Sequence, residues 1–210
     1  MGQSTRDQRV RLLIAEEAAR VMAEEGIRDF LLAKRKAASR LGADGTRNMP
    51  RNQEIEAALH AYQSLFLADR QPVRLHALRS TALEAMRVLE RFEPRLVGPV
   101  LHGTAGVNGV VELHLFADTP EEVGFVLTDA GIPYELHDTR LRVASHGHQS
   151  YPEYRFVAGD TVVELTVFDR DGLRNAPLSP VDGRPTQRAS RARVEELLRE
   201  GGEESEAPGP

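Results

Sequence analysis

The sequence predicts an α+β protein, with an N-terminal helical part followed by a mixed β-sheet domain. Three observations carry this. Through the first 90 positions apolar residues recur every three or four residues, the period of one helix face. After Pro94 the apolar runs become short, rich in β-branched residues and bounded by glycine or proline, as strands are. One helix-like stretch, residues 119–132, lies among those runs, so the order reads four helices and then β–β–α–β–β–β.

The helices have recognisable ends. In residues 11–26, Leu12, Leu13, Ala15, Ala19, Met22 and Ala23 fall near helical spacing, and Gly26 is placed to cap the C-terminus. A second helix spans 27–42 and stops at Gly42; residues 43–52 are rich in turn formers. The third runs from Asn52, read as the N-cap, to Phe66, with Ile55, Leu59, Tyr62 and Phe66 on one face. The fourth covers 71–92, with Pro72 in its first turn and a stripe of Leu75, Leu78, Leu83, Met86 and Leu89.

Strands are predicted at 97–101, 110–117, 134–143, 153–158 and 161–168. Gly159-Asp160 reads as a two-residue hairpin turn, which sets Ala158 opposite Thr161 and Arg155 opposite Glu164. The helix within 119–132 has Thr119 to cap it, Pro120 at its start, Glu121 and Glu122 at its positive end and Gly131 to close it. A loop follows over 170–190. The predicted organisation is a helical domain over 1–93, a sheet domain over 94–190, a C-terminal helix over 191–200 and a disordered acidic tail over 201–210. No internal repeat is visible.

Composition excludes several classes. The chain has no cysteine, so disulfides, thiolate catalysis and thiolate-bound zinc are excluded. No apolar run approaches the roughly 18 residues a transmembrane helix needs, and the opening MGQSTRDQRV is polar, so a cytoplasmic protein with no membrane partner is expected. Sequences of the type GxxxxGK[ST], GxGxxG after a strand, GxSxG and HExxH are absent, which argues against a P-loop ATPase, a dinucleotide oxidoreductase, an α/β-hydrolase and a zincin. The net charge of −5 is uneven: residues 1–95 hold 17 Lys+Arg against 13 Asp+Glu, whereas residues 96–180 hold 5 against 12.

The chemistry-bearing pattern lies in residues 97–168. An apolar run ends in Gly103-Thr104, and after a turn a strand carries Glu112 and His114 two residues apart, hence on one face. A later strand carries Glu164 between apolar neighbours. This layout resembles the polymerase-β-like nucleotidyltransferase superfamily, in which an apolar strand ends in Gly-Ser, Asp-x-Asp follows on the next strand and a third acid sits on a later one. Gly103-Thr104 matches Gly-Ser, Glu112-Leu113-His114 falls where Asp-x-Asp stands, and Glu164 where the third acid stands. The resemblance implies a nucleotidyltransferase-like sheet, with Glu112, His114 and Glu164 as catalytic residues and ligands of Mg²⁺ or Mn²⁺. It implies nucleoside triphosphate binding at the Gly103-Thr104 turn. The departures mark a divergent member: Glu112 carries its carboxylate one methylene further out, and His114 offers a nitrogen where Mg²⁺ prefers oxygen. An active enzyme and an inactive relative both stay open, and a cross-strand Arg155–Glu164 ion pair would account for Glu164 without metal.

Two other segments bear cations. The loop over 170–190 places Arg184, Arg188 and Arg191 close together in sequence, a set able to cover an anion; Arg184 and Arg188 are candidate nucleotide contacts. Lys34, Arg35, Lys36 and Arg40 form the densest basic stretch, and through them the N-terminal helices are a candidate surface for nucleic acid or protein, the alternative function as a non-enzymatic binding module. The two histidines of 146–151 are too few for a metal site and are read as a surface loop.

Overall fold

In the computed structural model, which describes residues 2–144 and 147–206, the chain is α+β and divides into two compact units. The first comprises residues 1–71, 104–108 and 180–182; the second comprises 72–103, 109–179 and 183–210. The division falls at Gln71/Pro72, not at the change of sequence character near Pro94. The fourth helix therefore groups with the sheet.

The first unit is built on α1 (Gly2–Glu25), α2 (Phe30–Arg40) and α3 (Asn52–Phe66). α1 ends, as expected, at Gly26, whose φ of +68° suits a residue without Cβ. Asp29 caps α2 by accepting a hydrogen bond from Leu32 N at 2.6 Å. Asn52 is not the cap of α3 but its first residue; its side chain instead donates to Pro180 O at 2.6 Å. The core is dominated by alanines, with Ala15, Ala18, Ala19, Ala23, Ala33, Ala37 and Ala38 all buried beside Ile14, Val21, Met22, Ile55 and Leu59. Small side chains let helix axes approach closely.

Residues 104–108 are held to these helices by buried amides. Gln63 Nε2 donates to Thr104 O at 3.1 Å, Gln71 Nε2 donates to Ala105 O at 3.0 Å, and Thr104 Oγ1 donates to Glu56 at 2.9 Å. Gly106 lies against the last turn of α1.

The second unit contains α4 (Gln71–Val88, beyond its first residue), β1 (Arg95–Val97), α5 (Gly98–His102), β2 (Val111–Phe116), α6 (Glu121–Asp129), β3 (Glu135–Val143), β4 (Gly147–Ala158), β5 (Thr161–Phe168) and α7 (Arg191–Glu206). The expected strand 97–101 is corrected: β1 stops at Val97, and residues 98–102 are helical, because Gly98 (φ +70°) turns the chain and Pro99 supplies a helix-ready φ. The expected tail is corrected too, since α7 continues to Glu206; residues 207–210 and His146 lie outside the described residues.

The five-stranded sheet has the order β1-β2-β5-β4-β3, with β2 and β5 parallel and the other neighbours antiparallel. The hairpin register read from Gly159-Asp160 holds: Ala158 faces Thr161 and Arg155 faces Glu164. One face carries Leu96, Leu113, Leu115, Val163, Leu165, Val167 and Tyr154, all buried. α6 packs on that face, where Gly124 leaves room for the Tyr154 ring and Tyr154 Oη donates to Pro120 O at 2.9 Å. No described helix is long and apolar enough to cross a membrane.

Gly106 tests how tightly residues 104–108 are seated. A Cβ there would lie 3.1 Å from Met22 O, a helix carbonyl that cannot withdraw. Gly106→Ala should lower stability by about 1–3 kcal/mol in urea unfolding. Gly45→Ala, with nothing within 4 Å of its Cβ, should leave the midpoint almost unchanged.

Candidate functional site

The opposite face of the sheet is where the sequence-predicted acids meet. Register fixes its content: Val97 pairs with Glu112, Arg95 with His114, Glu112 with Glu164, His114 with Thr166, and Phe116 with Phe168. Directly opposed residues point to the same face. Glu112 and Glu164 are therefore neighbours on adjacent parallel strands, and His114 stands one pleat further along the same face.

The glycine turn beside these acids is Gly98, not Gly103. A Cβ on Gly98 would lie 2.7 Å from Glu112 Oε2, so the Glu112 carboxylate rests against the turn that ends β1. Gly103 also has positive φ, but its neighbour there is Leu75, and Thr104 belongs to the first unit, where its hydroxyl donates to Glu56. The available signal was Val97-Gly98-Pro99, since Gly-Pro punctuates a chain strongly. It is hidden when residues 97–101 are read as one strand.

His114 is 6% exposed and is committed inward. Its ring packs on Phe168 with centroids 4.7 Å apart. Its Nδ1 accepts a hydrogen bond from Arg188 Nε at 3.0 Å, which places the ring proton on Nε2. Burial, reinforced by the charge on Arg188, pushes its pKa down to about 3. His114 is therefore a neutral acceptor at any ordinary pH.

Arg188 arrives from the edge of the sheet. Ala189 exchanges backbone hydrogen bonds with Leu96 at 2.9 Å each way, extending the sheet beyond β1. Ala189 thus shares the apolar face with Leu96, and its neighbour Arg188 takes the other face. The Arg188 Nη1 donates to Gly172 O at 2.7 Å, and the guanidinium carbon lies 4.9 Å from the Phe116 centroid and 5.0 Å from that of Phe168. Burial, then the nearby charge of Arg95, lowers its pKa to about 10, which leaves it a cation at neutral pH.

Glu164 is 12% exposed in its side chain and lies 4.0 Å from Arg155 Nε, the cross-strand partner that the hairpin register supplies. Arg155 is 45% exposed, so this pair contributes at most about 1 kcal/mol. Arg184 sits on an exposed turn where its carbonyl accepts from Ser179 N at 2.7 Å, and Arg191 pairs with Glu90 at 2.8 Å. The three loop arginines thus have different partners.

These residues do not assemble a metal ligand set. Glu112 and Glu164 are side by side, but His114 has given Nδ1 to a cation. Among the described residues no group of three or more His, Cys, Asp or Glu side chains is arranged to hold a metal ion. In the basic stretch, Lys36 pairs with Glu25, and Arg40 pairs with Glu25 at 2.7 Å and Glu17 at 3.1 Å. Lys34 is half-buried and Arg35 is exposed.

His114 gives the unit a measurable pH signature. The unfolded chain protonates this histidine near pH 6.5, whereas the folded protein resists until about pH 3. Its contribution is complete above pH 6.5 and is lost as pH falls towards 3, with a limiting slope of about 1.4 kcal/mol per pH unit. His114→Gln should flatten the decline in urea midpoint between pH 7 and pH 4. The same decline in both proteins would mean that His114 titrates normally.

No protein-family model, curated protein or solved structure matches the chain.

Proposed function

We propose that this chain is a divergent nucleotidyltransferase-like protein that has lost metal-dependent group transfer and acts by recognition. The sheet order, the carboxylate pair Glu112/Glu164 on adjacent parallel strands and the glycine turn under Glu112 support the likeness to that superfamily. The observation that carries the loss of transfer is the bond from Arg188 to His114 Nδ1. The position where the superfamily places its second aspartate is a neutral, buried imidazole that already serves a guanidinium. Two carboxylates remain, where the superfamily's chemistry uses three acids.

Recognition through Lys34, Arg35, Lys36 and Arg40 is the weaker alternative. Lys36 and Arg40 are already neutralised by Glu17 and Glu25 of α1, which reduces what that helix offers a polyanion.

The direct test is incubation of the full chain with labelled nucleoside triphosphates and Mg²⁺ or Mn²⁺, paired with thermal melts. The expected result is no transfer and an unchanged Tm in millimolar Mn²⁺. Transfer, or a Mn²⁺-dependent rise in Tm that Glu112→Ala abolishes, would restore the enzyme.

A further inference from the structure

We propose that the outer part of the β3–β4 hairpin is a nucleic-acid contact, with Arg140 and Arg142 on the phosphates of a duplex. The hairpin outruns the sheet. The β4–β5 ladder begins at Glu153, whereas β4 starts at Gly147, so residues 147–152 of β4 pair only with residues 138–143 of β3. This ribbon is two-stranded within the sheet, with Leu178 bonded along the outer edge of β3, so what it offers a duplex is its exposed, cationic face.

Charge on this ribbon is segregated. Of the 12 acidic residues between positions 96 and 180, none falls in 139–152, while Arg140 and Arg142 do. Register puts Arg140 opposite Ser150 and Arg142 opposite His148, so both arginines and His148 share one face. All three are exposed. Two strand residues i and i+2 are about 7 Å apart, which spreads the two guanidiniums along one direction. Elsewhere in the unit Arg155 meets Glu164 and Arg170 meets Asp118, but among the described residues Arg140 and Arg142 make no ion pair. The acid nearest in sequence on the same face is Asp138, at the base of the ribbon opposite Pro152.

The ribbon is also anchored. Tyr151 packs on Phe168 with centroids 4.6 Å apart, and Leu178 N donates to Arg142 O at 2.7 Å from the outer side of β3. The two arginines are therefore presented on a braced support, which limits the ordering entropy of binding. The fit is to phosphate charge. No base-reading side chain is implied, so binding should be indifferent to sequence.

The test is fluorescence anisotropy of the full chain with a labelled 20-base-pair DNA duplex, from 50 to 200 mM salt. Wild type should bind at 50 mM salt and weaken as salt rises. Arg140→Glu/Arg142→Glu should weaken binding at least tenfold and reduce the slope of log K against log salt by about 2, the value for two lost phosphate contacts. Arg140→Lys/Arg142→Lys should keep most of the affinity, which separates charge from misfolding. No binding by wild type at 50 mM salt would overturn the proposal. So would binding that survives the charge reversal but is lost in Lys34→Glu/Arg35→Glu, since the contact would then lie on α2. Equal binding of polyglutamate at the same salt would overturn it in favour of an acidic protein partner.

Discussion

Burying a guanidinium is costly, several kcal/mol in a protein interior, unless every direction it faces offers an acceptor or a π surface. Around Arg188 four groups of the second unit meet much of this need, namely the imidazole of His114 on β2, the rings of Phe116 and Phe168 at the ends of β2 and β5, and the carbonyl of Gly172 just after β5, while Nη2 is buried without a hydrogen-bond partner among the described residues. The backbone exchange between Ala189 and Leu96 fixes where the side chain enters. Much of the polar face follows from this one requirement. His114 must stay neutral to accept the bond, and Phe168 packs against both the imidazole, to which its ring is tilted by 57°, and the guanidinium. The loop after β5 must turn its carbonyls inward.

The same requirement separates the two ends of that face. Towards the ends of β2 and β5 the surface is closed by rings and by Arg188. Four residues before Phe116 and Phe168, Glu112 and Glu164 stand beside each other, one resting on the Gly98 turn and the other within reach of Arg155. A carboxylate pair in this position attracts cations, and the protein answers with an exposed arginine. On the same face His114 is the acceptor for an internal cation, not a neighbour that extends the carboxylate pair.

Charge is handled differently in the two units, each on its own terms. In the first, two of the four cations of the basic stretch of α2, Lys36 and Arg40, pair with carboxylates of α1. In the second, acids and bases are separated along the β3–β4 hairpin, and the arginines of its outer part stay exposed.

What the sequence determined was local. Helical periodicity, Gly26, Pro72 and the β-branched runs placed most elements. Gly159-Asp160 set the β4–β5 register, and with it the Arg155–Glu164 pair, because a two-residue turn fixes its flanking residues without help from elsewhere. Reading failed at the strand end, where Gly98-Pro99 breaks an apolar run that continues as a helix; apolar character alone does not separate a strand from a buried helical turn. The tertiary structure alone decided the fate of His114 and the role of Arg188. They are 74 residues apart in the chain, and nothing in either neighbourhood marks them as partners. They meet because the chain after β5 returns to the far edge of the sheet beside β1, where the half-buried Arg188 finds the imidazole as an acceptor for Nε.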